Sequence, residues 1–177
     1  MKVGIFFGCF IPLHCGHESL IRKALEENDH LILGLCGYDG DRGDGYIPFK
    51  DRISLMTEIY GGRDDITLSI VDDKKIGLTG TFSVDAWRTW CKELFGNSGY
   101  NPCDPSVEYT WYSGDESYLE KICQLYPLHR FVHIPRNIIP LSGTIIRRNS
   151  TYHQNDMHLL FQDYLRRNGI ITGYAHK

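Results

Sequence analysis

Apolar residues in this chain fall into two rhythms: short continuous runs, and longer stretches where they recur every three or four places. The runs read as buried strands and the recurrences as amphipathic helices. Lys2–Phe7, rich in Val, Ile and Phe and closed by Gly8, is the first expected strand. His17–Glu27 follows as a helix with Leu20, Ile21, Ala24 and Leu25 on one stripe, and His30–Cys36 as a second strand. The stretch 37–45 is dense in Gly and Asp and reads as a loop. The pattern then predicts a helix over Pro48–Tyr60 with Ile53, Met56 and Ile59 or Tyr60 on one face, and a strand at Ile66–Val71. A helix over Thr79–Phe95, ended by Gly96, comes next. A strand at Val107–Tyr112, a helix at Glu116–Leu125 and a strand at His129–Ile134 lead into a short helix near Ser142. Asn155–Arg167 completes the set as a helix with Leu159, Leu160 and Tyr164 inward, stopped by Asn168-Gly169.

Strands alternating with helices imply right-handed crossovers and a sheet covered on both faces. The expected fold is therefore α/β: a Rossmann-like, doubly wound, mostly parallel five-stranded sheet in a single domain over residues 1–177. Such sheets bind ligands outside the carboxyl ends of their strands. Chemistry is accordingly expected in the segments that follow strands one and five.

After strand one the chain reads Gly8-Cys9-Phe10-Ile11-Pro12-Leu13-His14-Cys15-Gly16-His17. Gly8 allows a sharp exit from the strand, and Gly16 lets backbone approach a ligand just before a helix. A helix N-terminus offers unpaired N–H groups and partial positive charge, which suits a phosphate. His14 and His17 bracket that point. After strand five come Arg136 and then Ser142-Gly143-Thr144-Ile145-Ile146-Arg147. Ser142 is a natural N-cap, and Arg147 lies about one turn further on. The two segments together, expected at adjacent strand ends, suggest one polyphosphate held between two helix starts.

Composition narrows the partners. Nineteen Lys+Arg against 22 Asp+Glu give a net charge of -3, so no general nucleic-acid binder is expected. No run approaches the roughly 20 apolar residues that span a bilayer, and no membrane partner is expected. The N-terminal apolar run stops at Gly8, short of a secretory signal. Six cysteines lie far apart without a C-x-x-C pair, which fits reduced thiols in the cytoplasm. A homo-oligomer is left open.

The segment Gly8–His17 resembles the G-x-F-x-P-x-H-x-G-H signature of the nucleotidylyltransferase superfamily, and Leu141–Arg147 its I-S-G-T-x-I-R signature. Within that superfamily the chain is similar to the nicotinamide mononucleotide (NMN) adenylyltransferase domain of NadR-type enzymes. The likeness is carried by Gly37-Tyr38-Asp39 with Arg42, Asp51-Arg52, Asp85-Ala86-Trp87, Tyr112-Ser113 with Asp115-Glu116, Arg136, and the stretch from Phe161 to Gly173. Ile11 stands where many superfamily members have an acidic residue, and Cys9 replaces a more usual polar or basic one. No G-x-x-x-x-G-K-[ST] loop occurs in the 177 residues, so the kinase activity that accompanies NadR-type domains is not expected.

The resemblance implies ATP and NMN as substrates, NAD and pyrophosphate as products, and Mg²⁺ accompanying ATP. Carried over by position, it implies that His14, His17 and Arg147 act on the triphosphate. Gly8, Cys9, Phe10, Gly16, Ser113, Arg136, Ser142, Gly143 and Thr144 would bind ATP. Tyr38, Arg42, Asp85 and Trp87 would bind NMN, with Trp87 beside the nicotinamide and Trp90 packed in the core. Arg42 could equally be a solvated loop charge, and Asp85 helix-start polarity. The alternatives are another transferase of the superfamily, acting on pantetheine phosphate or glycerol phosphate, or a nucleotide-binding regulator without catalysis.

Overall fold

Strand β2 (His30–Gly37) sends Leu31, Leu33 and Leu35 into one core cluster and Ile32 and Cys36 into another, and all five are buried. A strand buried on both faces needs helices on both sides, which favours parallel neighbours joined by crossovers. The structure, a computed structural model, describes residues 1–40, 47–78, 83–135 and 142–171. In chain order its other strands are β1 (Lys2–Gly8), β3 (Ile66–Asp72), β4 (Glu108–Ser113) and β5 (Arg130–His133). Its α-helices are α1 (Cys15–Glu27), α2 (Phe49–Tyr60), α3 (Val84–Ser98), α4 (Glu116–Leu125), α5 (Gly143–Arg148) and α6 (Leu159–Arg167), with a 3-10 turn at Gln154–Asp156.

The described strands form one sheet in the order β3-β2-β1-β4-β5, and every pairing is parallel. Phe6 of β1, for example, lies opposite Leu33 on one side and Tyr112 on the other. The chain winds outward from β1 to β3, returns, and winds the other way through β4 and β5. The switch falls between β1 and β4, and the crevice beyond their carboxyl ends is where such a sheet takes a ligand.

One face carries the helices that contribute Ile21, Met56, Ile146 and Phe161 to a core with Phe6 and Leu33. The other packs α3 and α4 through Trp90, Leu94, Leu119 and Ile122 against Ile5, Ile32 and Trp111. At Gly34 a Cβ would lie 2.9 Å from both Leu94 and Phe7, so the missing side chain is what lets α3 sit this close to the sheet.

The expected element order holds, and the departures are local. Gly96 does not end α3; the helix runs on to Ser98 and stops at Gly99, whose left-handed φ of 75° makes the C-cap. The first part of the helix expected there, 79–82, lies outside the described residues. The last helix begins at Leu159 rather than at Asn155, because Gln154–Asp156 forms a separate 3-10 turn. Its inward face is set by Phe161 and Leu165, so Leu159, expected inward, is 70% exposed. Among the described residues, no helix is long and apolar enough to cross a membrane.

Candidate active site

Past β1 the chain turns at Phe10, a non-glycine residue held at a φ of 47°. The sharp exit expected of Gly8 is therefore made two peptides later. The turn delivers His14 to the N-cap of α1, where its Nδ1 accepts the Gly16 N–H at 3.2 Å. That cap starts the helix at Cys15, ahead of its apolar stripe, and puts Gly16 and His17 inside the first turn. With Nδ1 accepting, the neutral ring carries its proton on Nε2 and presents a donor there. The rings of His14 and His17 stack at 3.8 Å, and Phe10 packs edge-on to His17 at 4.9 Å. His14 is 3% exposed, and the segment before α6 pins it from behind. There the His158 N–H donates to the Leu13 carbonyl, and Met157 bridges to His14.

The second motif closes on the first. Ser142 caps α5 by accepting the Ile145 N–H at 3.3 Å. Arg147 then donates through Nη1 to the Ile11 carbonyl at 2.8 Å and through Nη2 to Thr144 Oγ1 at 3.2 Å. A Cβ on Gly143 would stand 2.8 Å from that same Ile11 oxygen, so glycine is required for the approach. The two motifs do not follow adjacent strands, as the sequence suggests, because β4 lies between β1 and β5. The loop that leads into α1 nevertheless meets α5 at Ile11, which Gly143 approaches and Arg147 bonds.

Together they wall a cleft of about 1070 Å³. Gly8, Cys9, Phe10, His14, Gly16, His17, Tyr38, Trp87, Ser113, Ser142, Gly143, Thr144 and Arg147 all line it. Asp85 does not: it is exposed and ion-paired with Arg88 on the outside of α3. Arg42 and Arg136 lie outside the described residues. Ser113 is engaged in its own turn, its Oγ donating to the Asp115 carbonyl at 3.1 Å and accepting the Asp115 N–H at 3.0 Å.

At one end the wall is aromatic. Trp87 packs against Phe7 at 5.7 Å, Trp90 at 5.4 Å and Tyr118 at 5.2 Å. It is 8% exposed, and its indole Nε1–H has no hydrogen-bond partner among the described residues. Trp90 is buried as expected of a core residue and also borders the cleft.

Several residues at the site carry no signal in the sequence that assigns them a role. Arg52, 1% exposed, donates to the carbonyls of Cys9 at 2.8 Å, Cys36 at 3.4 Å and Tyr38 at 3.1 Å, and lies over the Phe49 ring. It is a positioning residue that ties the carboxyl ends of β1 and β2 together. Its one signal was the Asp51-Arg52 pair. Tyr118, Asp73 and Lys23 line the cleft itself, and no spacing singles them out. Lys23 pairs with Glu27 at 2.6 Å, and that bond, with a second from the Tyr112 hydroxyl, holds the Glu27 carboxyl below its ordinary range. Burial, helped by that carboxylate, pushes Tyr112 up to about 12.

A cleft at the switch point of a doubly wound sheet, with the N-terminus of a long helix in its wall, is where folds of this kind take a ligand. The chain belongs to the cytidylyltransferase-like family, whose pattern matches residues 5–149. It is 23% identical over 159 residues to the trifunctional NAD biosynthesis/regulator protein NadR of Salmonella typhimurium, covering 84% of this chain and 37% of that protein. It is 28% identical over 128 residues to the phosphopantetheine adenylyltransferase of Limosilactobacillus fermentum, covering 67% of this chain and 71% of the other. A NadR protein solved in complex with NR has the same fold with a TM-score of 0.73 at 28% identity, over 90% of this chain and 44% of that one. The chain thus spans less than half the length of the NadR proteins it matches, and its relatives are adenylyltransferases.

Proposed function

We propose that the chain is a nicotinamide-nucleotide adenylyltransferase. The NMN phosphate oxygen attacks the α-phosphorus of ATP in line; a new P–O bond forms, the bond to pyrophosphate breaks, and NAD results. The observation that supports the reading is the Arg147 bond to the Ile11 carbonyl, which joins the His14–His17 and Ser142–Arg147 segments on one cleft.

A phosphate monoester has a second pKa of about 6, so the nucleophile is already dianionic at neutral pH and needs no base. The protein has to align two anions and stabilise the charge that builds on the α-phosphoryl oxygens and the leaving pyrophosphate. In this reading His14 and His17 donate to the triphosphate from the start of α1. Arg147 and the first N–H groups of α5 hold the β- and γ-phosphates. Magnesium arrives with ATP as part of the substrate. Among the described residues there is no group of three or more His, Cys, Asp or Glu able to hold a metal ion. Phosphate oxygens and water suit Mg²⁺ as ligands, and it neutralises charge on the transferring group.

The acceptor end favours a flat ring bearing an acceptor atom. An N–H buried without a partner costs about 1–3 kcal/mol, and a small turn of the Trp87 indole toward the cleft would let it donate to a ligand carbonyl or carboxylate oxygen and remove that cost. The carboxamide of NMN supplies such an oxygen. Its cationic ring gains about 0.5–2 kcal/mol from indole and phenol faces nearby. Relatives that are phosphopantetheine adenylyltransferases make the acceptor the point to test. The protein, with ATP, Mg²⁺ and a panel of NMN, nicotinic acid mononucleotide, pantetheine phosphate and glycerol phosphate, is expected to release pyrophosphate with NMN. Release with pantetheine phosphate instead would overturn the reading.

A further inference from the structure

Two cysteines, Cys9 and Cys36, line the wall of the cleft from neighbouring chain segments. The β1–β2 ladder runs as far as Gly8 opposite Leu35, so Cys9 is the residue that leaves β1 and Cys36 is the next residue of β2. Their side chains belong to the same face of the sheet: Cys36 is part of the α3–α4 core cluster, and Cys9 packs against that cluster. Both line the cleft. Arg52 Nη1 donates to the carbonyls of both, which holds the two backbones to a single donor. Paired strands lie about 4.8 Å apart, so the ladder's last pair, Gly8 and Leu35, sets the two chains down within the range of about 4.4–6.8 Å between Cα atoms that a disulfide bridges, one residue before the cysteines.

The two thiols differ in access. Cys9 is half-buried at the open cleft, whereas Cys36 is 8% exposed. Cys91, on the same face, is wholly buried, and that burial pushes its thiol up to about 12. Cys15, Cys103 and Cys123 are exposed on separate segments: the start of α1, the loop after α3, and α4.

We infer that Cys9 and Cys36 form a redox pair that a hydroperoxide converts to a disulfide, closing the site reversibly. The Cys9 sulfur attacks the O–O bond of hydrogen peroxide and becomes a sulfenic acid, releasing one water. The Cys36 sulfur then attacks Cys9 and expels the hydroxyl as a second water, forming the S–S bond. Two thiols lose two protons and two electrons, and the peroxide that gains them leaves as two waters. Cys9 adjoins Phe10, which is held at a φ of 47° with its ring against His17. Drawing Cys9 toward β2 therefore shifts the residue that supports the histidine pair. The effect on turnover rests on the proposed transfer reaction; the cross-link does not.

The test treats the full chain with hydrogen peroxide, blocks remaining thiols with N-ethylmaleimide, and maps unreduced peptides by mass spectrometry. A linked Cys9–Cys36 peptide is expected, with pyrophosphate release slowed about tenfold or more and restored by dithiothreitol. Cys36→Ser should give no linked peptide and a Cys9 sulfenic acid that dimedone traps. Should no acceptor support transfer, the peptide map still reads the cross-link, and loss of ATP binding on oxidation reads its effect on the cleft. The inference is overturned if the linked peptide is absent or joins other cysteines. It is equally overturned if the link forms while both turnover and ATP binding stay at the reduced protein's values.

Discussion

Replacing Gly143 by alanine puts two known quantities in opposition. Alanine is the better helix former, by up to about 1 kcal/mol. The new Cβ, however, would sit 2.8 Å from the Ile11 carbonyl oxygen and 2.9 Å from Arg147 Nη1. A guanidinium can swing aside, but the Ile11 oxygen is backbone in a turn fixed by the His14 cap and the Arg147 bond. The start of α5 must move instead, and overpacking of this kind costs about 1–3 kcal/mol. We expect Gly143→Ala to be destabilised by about 1–2 kcal/mol in urea unfolding, the clash outweighing the propensity gain. Because the displaced turn carries Thr144 and Arg147, kcat/KM should fall about 10–100-fold. Gly96→Ala is the internal reference: it lies within α3 with nothing within 4 Å of its Cβ position, and should gain about 0.5–1 kcal/mol. If Gly143→Ala is stabilised as Gly96→Ala is and keeps its kcat/KM, the argument that α5 must touch Ile11 is refuted.

Other outcomes follow from the same geometry. Arg52→Met should cost about 2–4 kcal/mol in urea unfolding, since three carbonyls lose a buried charged donor; a loss under about 0.5 kcal/mol would mean that those bonds are dispensable. Trp87→Phe keeps an aromatic ring and removes only the N–H, so KM for NMN should rise about tenfold while KM for ATP stays put; equal changes in both would assign Trp87 to packing alone. His129 accepts the Trp111 Nε1–H at 3.0 Å on Nδ1 and donates from Nε2 to the Pro102 carbonyl at 2.9 Å, so the folded state wants it neutral. Burial lowers its pKa below the ordinary 6.5, so the folded state binds fewer protons than the unfolded chain. That contribution is complete above about pH 6.5 and is lost as the pH falls below it; His129→Gln should flatten the slope, leaving what His30, also lowered by burial, supplies.

Much of the fold is legible because each strand has its own short apolar run. Leu31 to Cys36 contains no charged residue, so a strand covered on both faces follows directly. Helix ends are less legible, since they depend on single caps. Nothing in an apolar stripe beginning at Leu20 says that His14 will cap from outside it, or that Gly99 rather than Gly96 will take the left-handed conformation. The histidines, Arg147 and Trp87 could be picked out because their motifs are local in sequence. Tyr118 and Arg52 act through partners far along the chain, as Arg52 does on Cys9 and Cys36, and spacing cannot record such contacts. Sheet order was also out of reach: that β4 separates β1 from β5 is a property of the winding, not of any residue run.

The most direct test of the account follows the α-phosphorus itself. With ATP labelled at that atom and NMN as acceptor, the label should pass into NAD in step with pyrophosphate release, and His17→Ala should slow the transfer by orders of magnitude while ATP still binds. Label that stays in ATP when NMN is present, yet moves to another phosphorylated acceptor, would contradict the account.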